Sequence, residues 1–275
     1  MKKVFCTVMI AACMIFLFTY TKVDAAKITT LAENGTCKVD LDNDGKKEVI
    51  MFKSKNVDMS DGGIKGTVTL YINGKKMYSY TGKYCWLGRV FCADFNKKDR
   101  YKEIGIEMYT DSDCLENMKL LHYQNKKLKT VASVKAGTHG FAGRMTVADN
   151  QKGDGIVLIQ ADTPFFQNSL GCYFIDMKYQ IKSGTLVKVK QNTYPASNVW
   201  KSSKYTLTKK ITFKKTRTGK VKAFTLKKGT KVYLNRVFCK KDGDTMYIQV
   251  KTKAGKYGWM KITNAKFYKE AYGWG

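Results

Sequence analysis

An acidic segment that recurs at a regular spacing is the feature of this sequence that most constrains its fold. Asp40 begins the first copy and Glu48 closes it, and Asp94 and Glu103 take the same places in the second copy. A third, eroded copy begins at Asp149, after a similar interval. Self-similarity at such a period is the signature of a repeat architecture, so the sequence predicts three equivalent units between residue 27 and about residue 200.

Each unit also carries alternating apolar runs that stop at turn residues. The clearest run, residues 67–72, precedes Asn73-Gly74, and similar runs cover residues 120–123 and 174–179. Asn-Gly between alternating runs is the strongest short-range signal for a β-hairpin. We therefore expect about four strands and one acidic loop in every unit.

The whole chain is predicted to be all-β. Only 2 prolines stand against 23 glycines and 17 tyrosines, which favours strands and tight turns over helices. A repeat of this length with several short strands is typical of a propeller blade or a related β-repeat. Closed propellers typically have about four to eight blades, so three units form either an open arc or a ring that diverged strands complete.

The first acidic loop has the pattern of a cation site. Its carboxylates stand at positions one, three, five and nine, and a glycine follows the third carboxylate for a sharp turn. Hard oxygen ligands at this spacing suit Ca²⁺, which takes about six to eight of them. An EF-hand would need a glutamate at the twelfth position, where this chain has Met51. The predicted ligands are Asp40, Asp42, Asp44, Glu48 and the carbonyl of Lys46.

The second loop offers an incomplete version of the same ligand set, because an asparagine replaces one aspartate and an extra residue precedes the next. Its candidate ligands are Asp94, Asn96, Asp99 and Glu103. The third copy has too few oxygen ligands and is expected to be structural. For each loop the alternative is a solvated polar turn without a metal.

The two acidic loops resemble those of the FG-GAP and VCBS-type repeats of integrin-like propellers. Those repeats place carboxylates at the same four positions and run straight into a strand, as residues 48–52 do here. The resemblance implies a calcium-stabilised repeat domain over residues 26–201. It also implies that the repeat loops face a ligand, which could be another protein.

Positive charge is concentrated at the C-terminal end of the chain. Residues 201–275 contain 21 lysines and arginines against only Asp242, Asp244 and Glu270, a net charge of +18. Such a field attracts polyanions at long range. The shift to Lys-Thr-Gly-rich sequence places a domain boundary at residue 202. Strands are predicted at residues 205–216, 220–225, 230–238, 245–250 and 258–262.

Two motifs in this region, a Leu-x-x-Gly turn at 226–229 and a Gly-x-x-Gly-Trp segment at 255–259, resemble those of bacterial Src-homology-3-like domains. The resemblance implies a small β-barrel over residues 202–275 that attaches exported proteins to peptidoglycan or its associated polymers. The candidate ligand-binding residues are Tyr233, Tyr247, Tyr257 and Trp259. For Trp259 the alternative is packing in the core.

The N-terminus has the layout of an export signal. Two lysines precede an uncharged apolar run over residues 4–20, and small residues at 23–26 suit a signal peptidase. We expect residues 1–25 to be removed and the protein to be secreted. The alternatives are a membrane anchor, for which this run is short, and a lipoprotein box ending at Cys13.

Catalysis is not expected, because the chain has only His122 and His139 to serve as a base for a nucleophile. The rival hypothesis is a polysaccharide-active enzyme or an accessory module of a wall hydrolase. Its candidate carboxylates are Asp111, Asp113 and Glu116. Six cysteines follow the signal, and they permit either disulfides, such as one between Cys85 and Cys92, or buried free thiols.

These patterns together predict a secreted, cell-wall-associated protein with a binding or adhesion role. Its expected partners are teichoic acid, peptidoglycan or an acidic polysaccharide. Nucleic acid would bind only nonspecifically, through lysine and aromatic side chains.

Overall fold

The computed structural model describes residues 26–110, 115–135, 145–162, 170–171, 174–182, 185–197, 203–239, 245–263 and 265–270. Every regular element in these residues is a β-strand, so the expected all-β fold is confirmed. The strands form several separate sheets. The described chain begins with two short strands, β1 (Ala26–Lys27) and β2 (Thr29–Thr30). The predicted signal, residues 1–25, lies outside the described residues.

The first sheet pairs four antiparallel strands in chain order. They are β3 (Thr36–Val39), β4 (Glu48–Asp58), β5 (Ile64–Ile72) and β6 (Lys75–Lys83). Asn73 and Gly74 join β5 to β6 with φ values of 51° and 77°, which is the left-handed backbone that a two-residue hairpin turn requires. Ile50 and Phe52 alternate with less buried residues along β4, so this part of the strand buries one face.

The second sheet is built in the same way, with β2 added beside its first strand. Its four main strands are β7 (Trp86–Ala93), β8 (Glu103–Tyr109), β9 (Leu115–Gln124) and β10 (Lys127–Lys135). All but the last residue of β8 are buried, because other sheets cover both faces of this one. Gly105 is required there, since a Cβ at this position would meet the Phe91 ring at 2.0 Å.

The third sheet repeats the arrangement once more. Its strands are β11 (Met145–Val147), β13 (Val157–Asp162), β14 (Phe174–Lys182) and β15 (Thr185–Lys188), and β12 (Asn150–Gln151) pairs with β1. In each of the three sheets the acidic loop connects the first two strands that pair with each other.

Two apolar clusters join the sheets. The first lies between the first and second sheets and includes Ile50, Leu70 and Ile106. The second begins with Phe91 on the opposite face of the second sheet and continues through the third sheet to Phe213 in the C-terminal region. Burial of this apolar surface is what holds the sheets together.

The C-terminal sheet has seven strands. They are β16 (Tyr194–Pro195), β17 (Lys204–Thr206), β18 (Ile211–Lys214), β19 (Lys222–Leu226), β20 (Lys231–Cys239), β21 (Met246–Lys251) and β22 (Tyr257–Ile262). The order is β16-β20-β21-β22-β18-β19, with β17 also beside β20, and no sheet in the described part of the chain closes into a barrel. Ala196 bridges Ile175 on β14 and donates its N–H to Asn235 O, so the segment before residue 202 connects the third and fourth sheets.

The prediction of one strand over residues 205–216 is wrong. Leu207 pairs with Tyr268, and the Thr208 N–H donates to the Phe267 carbonyl at 2.9 Å. These contacts with the C-terminal end interrupt the run, so β17 ends at Thr206 and β18 begins at Ile211.

Candidate functional site

The first acidic loop brings three carboxylates together. Oxygen atoms of Asp40, Asp42 and Glu48 all lie within 4.8 Å of one another. The loop bends back on itself because Asp40 accepts hydrogen bonds from the N–H groups of Asp44 (3.2 Å) and Gly45 (3.1 Å). Gly45 has a φ of 87°, a conformation that glycine adopts without strain.

Two further features suit this cluster to a cation. Glu48 is buried, and its Oε2 accepts the Leu41 N–H at 2.9 Å. Asp42 Oδ1 is buried without a hydrogen-bond partner, which is costly for a carboxylate unless a cation is bound. Burial, and then the charges of Glu48, Asp42 and Asp44, raise the pKa of Tyr123, so the negative potential of the loop extends to this phenol. The described residues thus fit a hard cation such as Ca²⁺.

The third aspartate of the loop, Asp44, has another arrangement. Asp44 is exposed and lies outside the group of three carboxylates. Its Oδ1 accepts the Lys46 N–H at 2.8 Å, which is a local turn of the kind that aspartate forms with its own backbone.

Two cationic side chains of the second loop hold the first loop in place. Lys102 Nζ donates to the Asp40 carbonyl at 2.8 Å, and Arg100 Nε donates to the Asp42 carbonyl at 3.0 Å. The Lys102 N–H also donates to the Leu41 carbonyl at 2.9 Å. Sequence reasoning did not identify either cation. Both cations lie in the second copy of the repeat, and consecutive repeat units are neighbours in space, so their position could have indicated a contact with the first loop.

The second loop has the same bond between a glutamate and the backbone as the first loop, but the other oxygen of its glutamate contacts a histidine. Glu103 Oε2 accepts the Phe95 N–H at 3.2 Å, as Glu48 does with Leu41. Glu103 Oε1, however, lies 2.8 Å from His122 Nε2. Burial raises the pKa of Glu103, and its hydrogen bond with His122 opposes that rise.

The remaining second-loop candidates do not complete a cluster. Asn96 Nδ2 donates to Asp99 Oδ2 at 2.9 Å, and Asp94 Oδ1 is buried without a hydrogen-bond partner. Burial raises the pKa of Asp94, which disfavours its charged form. Within the described residues the first loop is the one group of three or more potential metal ligands.

The third loop continues the series of loop contacts. The Lys97 N–H donates to Gly153 O at 3.0 Å, and the Gly155 N–H donates to Phe95 O at 2.8 Å. The three loops therefore lie side by side, each bonded through its backbone to the next.

The four candidate binding residues of the C-terminal sheet share one face. Tyr233, Tyr247 and Tyr257 lie next to buried residues along β20, β21 and β22, and Trp259, two residues beyond Tyr257, is itself buried. Tyr257 is 47% exposed, whereas Trp259 is only 8% exposed and is mostly a packing residue. In this register Gln249 pairs with Trp259, and Lys251 pairs with Tyr257.

One end of this face is covered and the other is open. Arg236 Nε donates to Thr193 Oγ1 at 2.7 Å, and Arg217 lies over the Phe238 ring at 3.5 Å from its centroid. At the open end there is a cleft of about 340 Å³. It is lined by Tyr233, Leu234, Asn235, Lys251, Thr252 and Lys253.

The described residues of the C-terminal region carry almost no negative charge. From residue 203 onward the described residues include one acid, Glu270. Its carboxylate accepts the Thr206 N–H at 2.6 Å and the Thr206 hydroxyl at 2.7 Å. Among these described residues, the lysines around the cleft therefore have no acidic neighbour that competes with a ligand.

The rival carboxylates of the enzyme hypothesis are only partly described. Asp111, Asp113 and His139 lie outside the described residues, and Glu116 is half-buried. Of the cysteines, Cys37, Cys85 and Cys92 are free thiols, so the suggested Cys85–Cys92 bridge is not formed. Cys114, Cys172 and the side chain of Cys239 lie outside the described residues.

Comparisons with protein-family models, curated proteins and solved structures found no match to this chain. Within the described residues no helix has the length and apolar character needed to cross a membrane.

Proposed function

We propose that this chain is an exported, non-catalytic binding protein that attaches to the anionic polymers of a bacterial cell wall. The observation that carries the proposal is the open, basic and aromatic end of the C-terminal sheet, where Lys251 and Lys253 flank Tyr233 in one cleft. The one described acid of that region, Glu270, is already bonded to Thr206. Teichoic acid and peptidoglycan-associated polymers are the partners whose charge complements this surface.

Electrostatic attraction allows this surface to attract an anionic polymer before the two are in contact. Residues 201–275 carry a net charge of +18, and the Debye length at physiological salt is about 8 Å. Charges at this density act together on a nearby anionic polymer, whereas an uncharged glycan would gain little from them.

Calcium is proposed as the stabilising ion of the first repeat loop. The support is the cluster of Asp40, Asp42 and Glu48 and the buried, unbonded Asp42 Oδ1. A bound divalent cation would neutralise the mutual repulsion of these carboxylates and tie the two ends of the loop together.

Two fold relationships belong to the same proposal. The first three sheets, each with four strands in chain order and an acidic loop, support a propeller-like repeat domain of the FG-GAP or VCBS type. A Src-homology-3-like C-terminal module is supported by the Gly229 turn (φ 83°) before β20 and the Gly255 turn (φ 76°) before β22.

Cell-wall co-sedimentation tests the proposed function. The protein without residues 1–25 is mixed with purified walls before and after teichoic acid is stripped, with DNA as a competitor. Binding that falls after stripping supports attachment to teichoic acid, and binding that survives stripping supports attachment to peptidoglycan. Failure to sediment with any wall preparation would refute the proposal.

A further inference from the structure

A row of alternating lysine and tyrosine side chains crosses four strands of the C-terminal sheet. Lys204 on β17 pairs with Tyr233 on β20, Tyr233 pairs with Lys251 on β21, and Lys251 pairs with Tyr257 on β22. Neighbouring strands lie about 4.8 Å apart, so residues of the same type recur about every 10 Å along this Lys–Tyr row.

The row lies on the accessible face of the sheet. Its members are exposed or half-buried, whereas the next residues on three strands, Val232, Val250 and Gly258, are buried. The cleft of about 340 Å³ lies along the row at Tyr233 and Lys251, and Lys253 extends it past the end of β21. The cleft therefore places one aromatic ring and one lysine of the row side by side, with a second lysine next to them.

We propose that the Lys–Tyr row binds a phosphodiester-linked polyol polymer of the teichoic acid type. This inference rests on the proposed function and names the polymer and the residues that contact it. The ammonium groups of Lys251 and Lys253 pair with successive phosphates. The rings of Tyr233 and Tyr257 pack against the aliphatic faces of the polyol or its attached sugars.

Export to the cell wall, which is part of the proposed function, favours this polymer over single-stranded nucleic acid as the ligand. Lys251 Nζ lies 5.8 Å from the centroid of the Tyr257 ring, so a phosphate bound at Lys251 would lie next to this aromatic ring. Asn235, which lines the cleft, donates one amide hydrogen from Nδ2 to Gln249 Oε1 at 2.6 Å. Lys251 is exposed, so its ammonium group is accessible to a phosphate.

Paired variants separate the row from the general charge of the sheet. Lys251→Gln with Lys253→Gln, here called the row variant, removes one charge from the row and one from its extension in the cleft, and Lys227→Gln with Lys228→Gln removes two exposed charges from the turn before β20. We expect the row variant to weaken affinity for purified poly(glycerol phosphate) teichoic acid by about tenfold. The turn variant should weaken it by less than about twofold. Tyr257→Ala should weaken it by about fivefold through lost packing.

The measurement is isothermal titration of the protein without residues 1–25, with single-stranded DNA as a second probe and a melting curve for each variant. Equal losses of affinity in the row and turn variants would overturn the binding role of the Lys–Tyr row and leave the proposal of charge-driven wall attachment intact. Tighter binding of DNA than of teichoic acid, with the same dependence on the row, would overturn the ligand class. No binding of teichoic acid, peptidoglycan or stripped walls by the unaltered protein would instead refute the proposed function itself.

Discussion

At the scale of single residues, the buried ion pair of Glu107 and Arg89 is expected to contribute strongly to stability. Glu107 is fully buried, and its carboxylate lies 3.0 Å from Arg89 Nε. Glu107 also accepts hydrogen bonds from the Tyr109 hydroxyl (2.9 Å) and the Val147 N–H (2.7 Å). Because Val147 is on β11, this network fastens the third sheet to the second.

Removing the charge of Glu107 should therefore destabilise the protein strongly. We expect Glu107→Gln to lower the free energy of unfolding by about 3–5 kcal/mol, because the partly buried Arg89 loses its main counter-charge. Urea denaturation measures this loss. Asp149→Asn is the matched control, since Asp149 pairs with the same guanidinium at 3.1 Å but is 83% exposed. Its expected cost is at most about 1 kcal/mol, and a similar loss in both variants would contradict the account.

Sequence reasoning predicted part of the candidate sites at this scale. It identified Asp40, Asp42 and Glu48 because their spacing within one loop is local information. It could not identify the partnership of Glu103 with His122, or of Glu107 with Arg89, because each depends on which strands pair and in which register. Asp44 was predicted by the same spacing rule, but it is exposed and lies outside the group of three carboxylates.

At the scale of elements, the hairpin turns offer a direct comparison of glycine and lysine in left-handed backbone. Gly74 has a φ of 77°, and Lys126 occupies the corresponding position of the β9–β10 turn with a φ of 59°. Side chains carry a cost of about 1–2 kcal/mol in this conformation. We expect Gly74→Ala to destabilise the protein and Lys126→Gly to stabilise it, each by about 1 kcal/mol in urea unfolding. The same sign of effect for both substitutions would contradict this assignment of the turns.

Calcium bound at the first acidic loop should raise the thermal stability of the protein. Extracellular calcium modules bind with Kd values of about 10⁻⁴–10⁻³ M, so about 10 mM Ca²⁺ should stabilise the protein by about 1.4–2.7 kcal/mol relative to EDTA. Thermal melting measures the shift. Asp42→Ala should abolish the response, whereas Asp44→Ala, which lies outside the cluster, should retain most of it. A melting temperature that calcium does not change would contradict the proposed ion.

Strands that depend on local sequence were predicted better than those that depend on distant partners. The segments predicted at 230–238 and 245–250 correspond to β20 and β21 within one residue at each end. The break between β17 and β18 was missed because Phe267 and Tyr268, which lie far along the chain near its C-terminal end, create it.

At the scale of the whole molecule, the repeat spacing indicated how many units to expect but not how they associate. The second apolar cluster runs from the second sheet to the C-terminal sheet, and residues 194–196 connect the third and fourth sheets. No local pattern encodes such packing, since it depends on which faces meet after the strands have paired. The C-terminal sheet is thus best studied within the protein that contains the other three.

Salt dependence of binding tests the central claim most directly. The affinity of the protein without residues 1–25 for purified teichoic acid is measured between about 0.1 M and 1 M NaCl, over which the Debye length shrinks from about 10 Å to 3 Å. If about three phosphate contacts release their counterions, the affinity should fall by about 100-fold over this range. An affinity that stays constant would show that apolar contacts, which salt does not screen, hold the polymer, and would contradict charge-driven attachment.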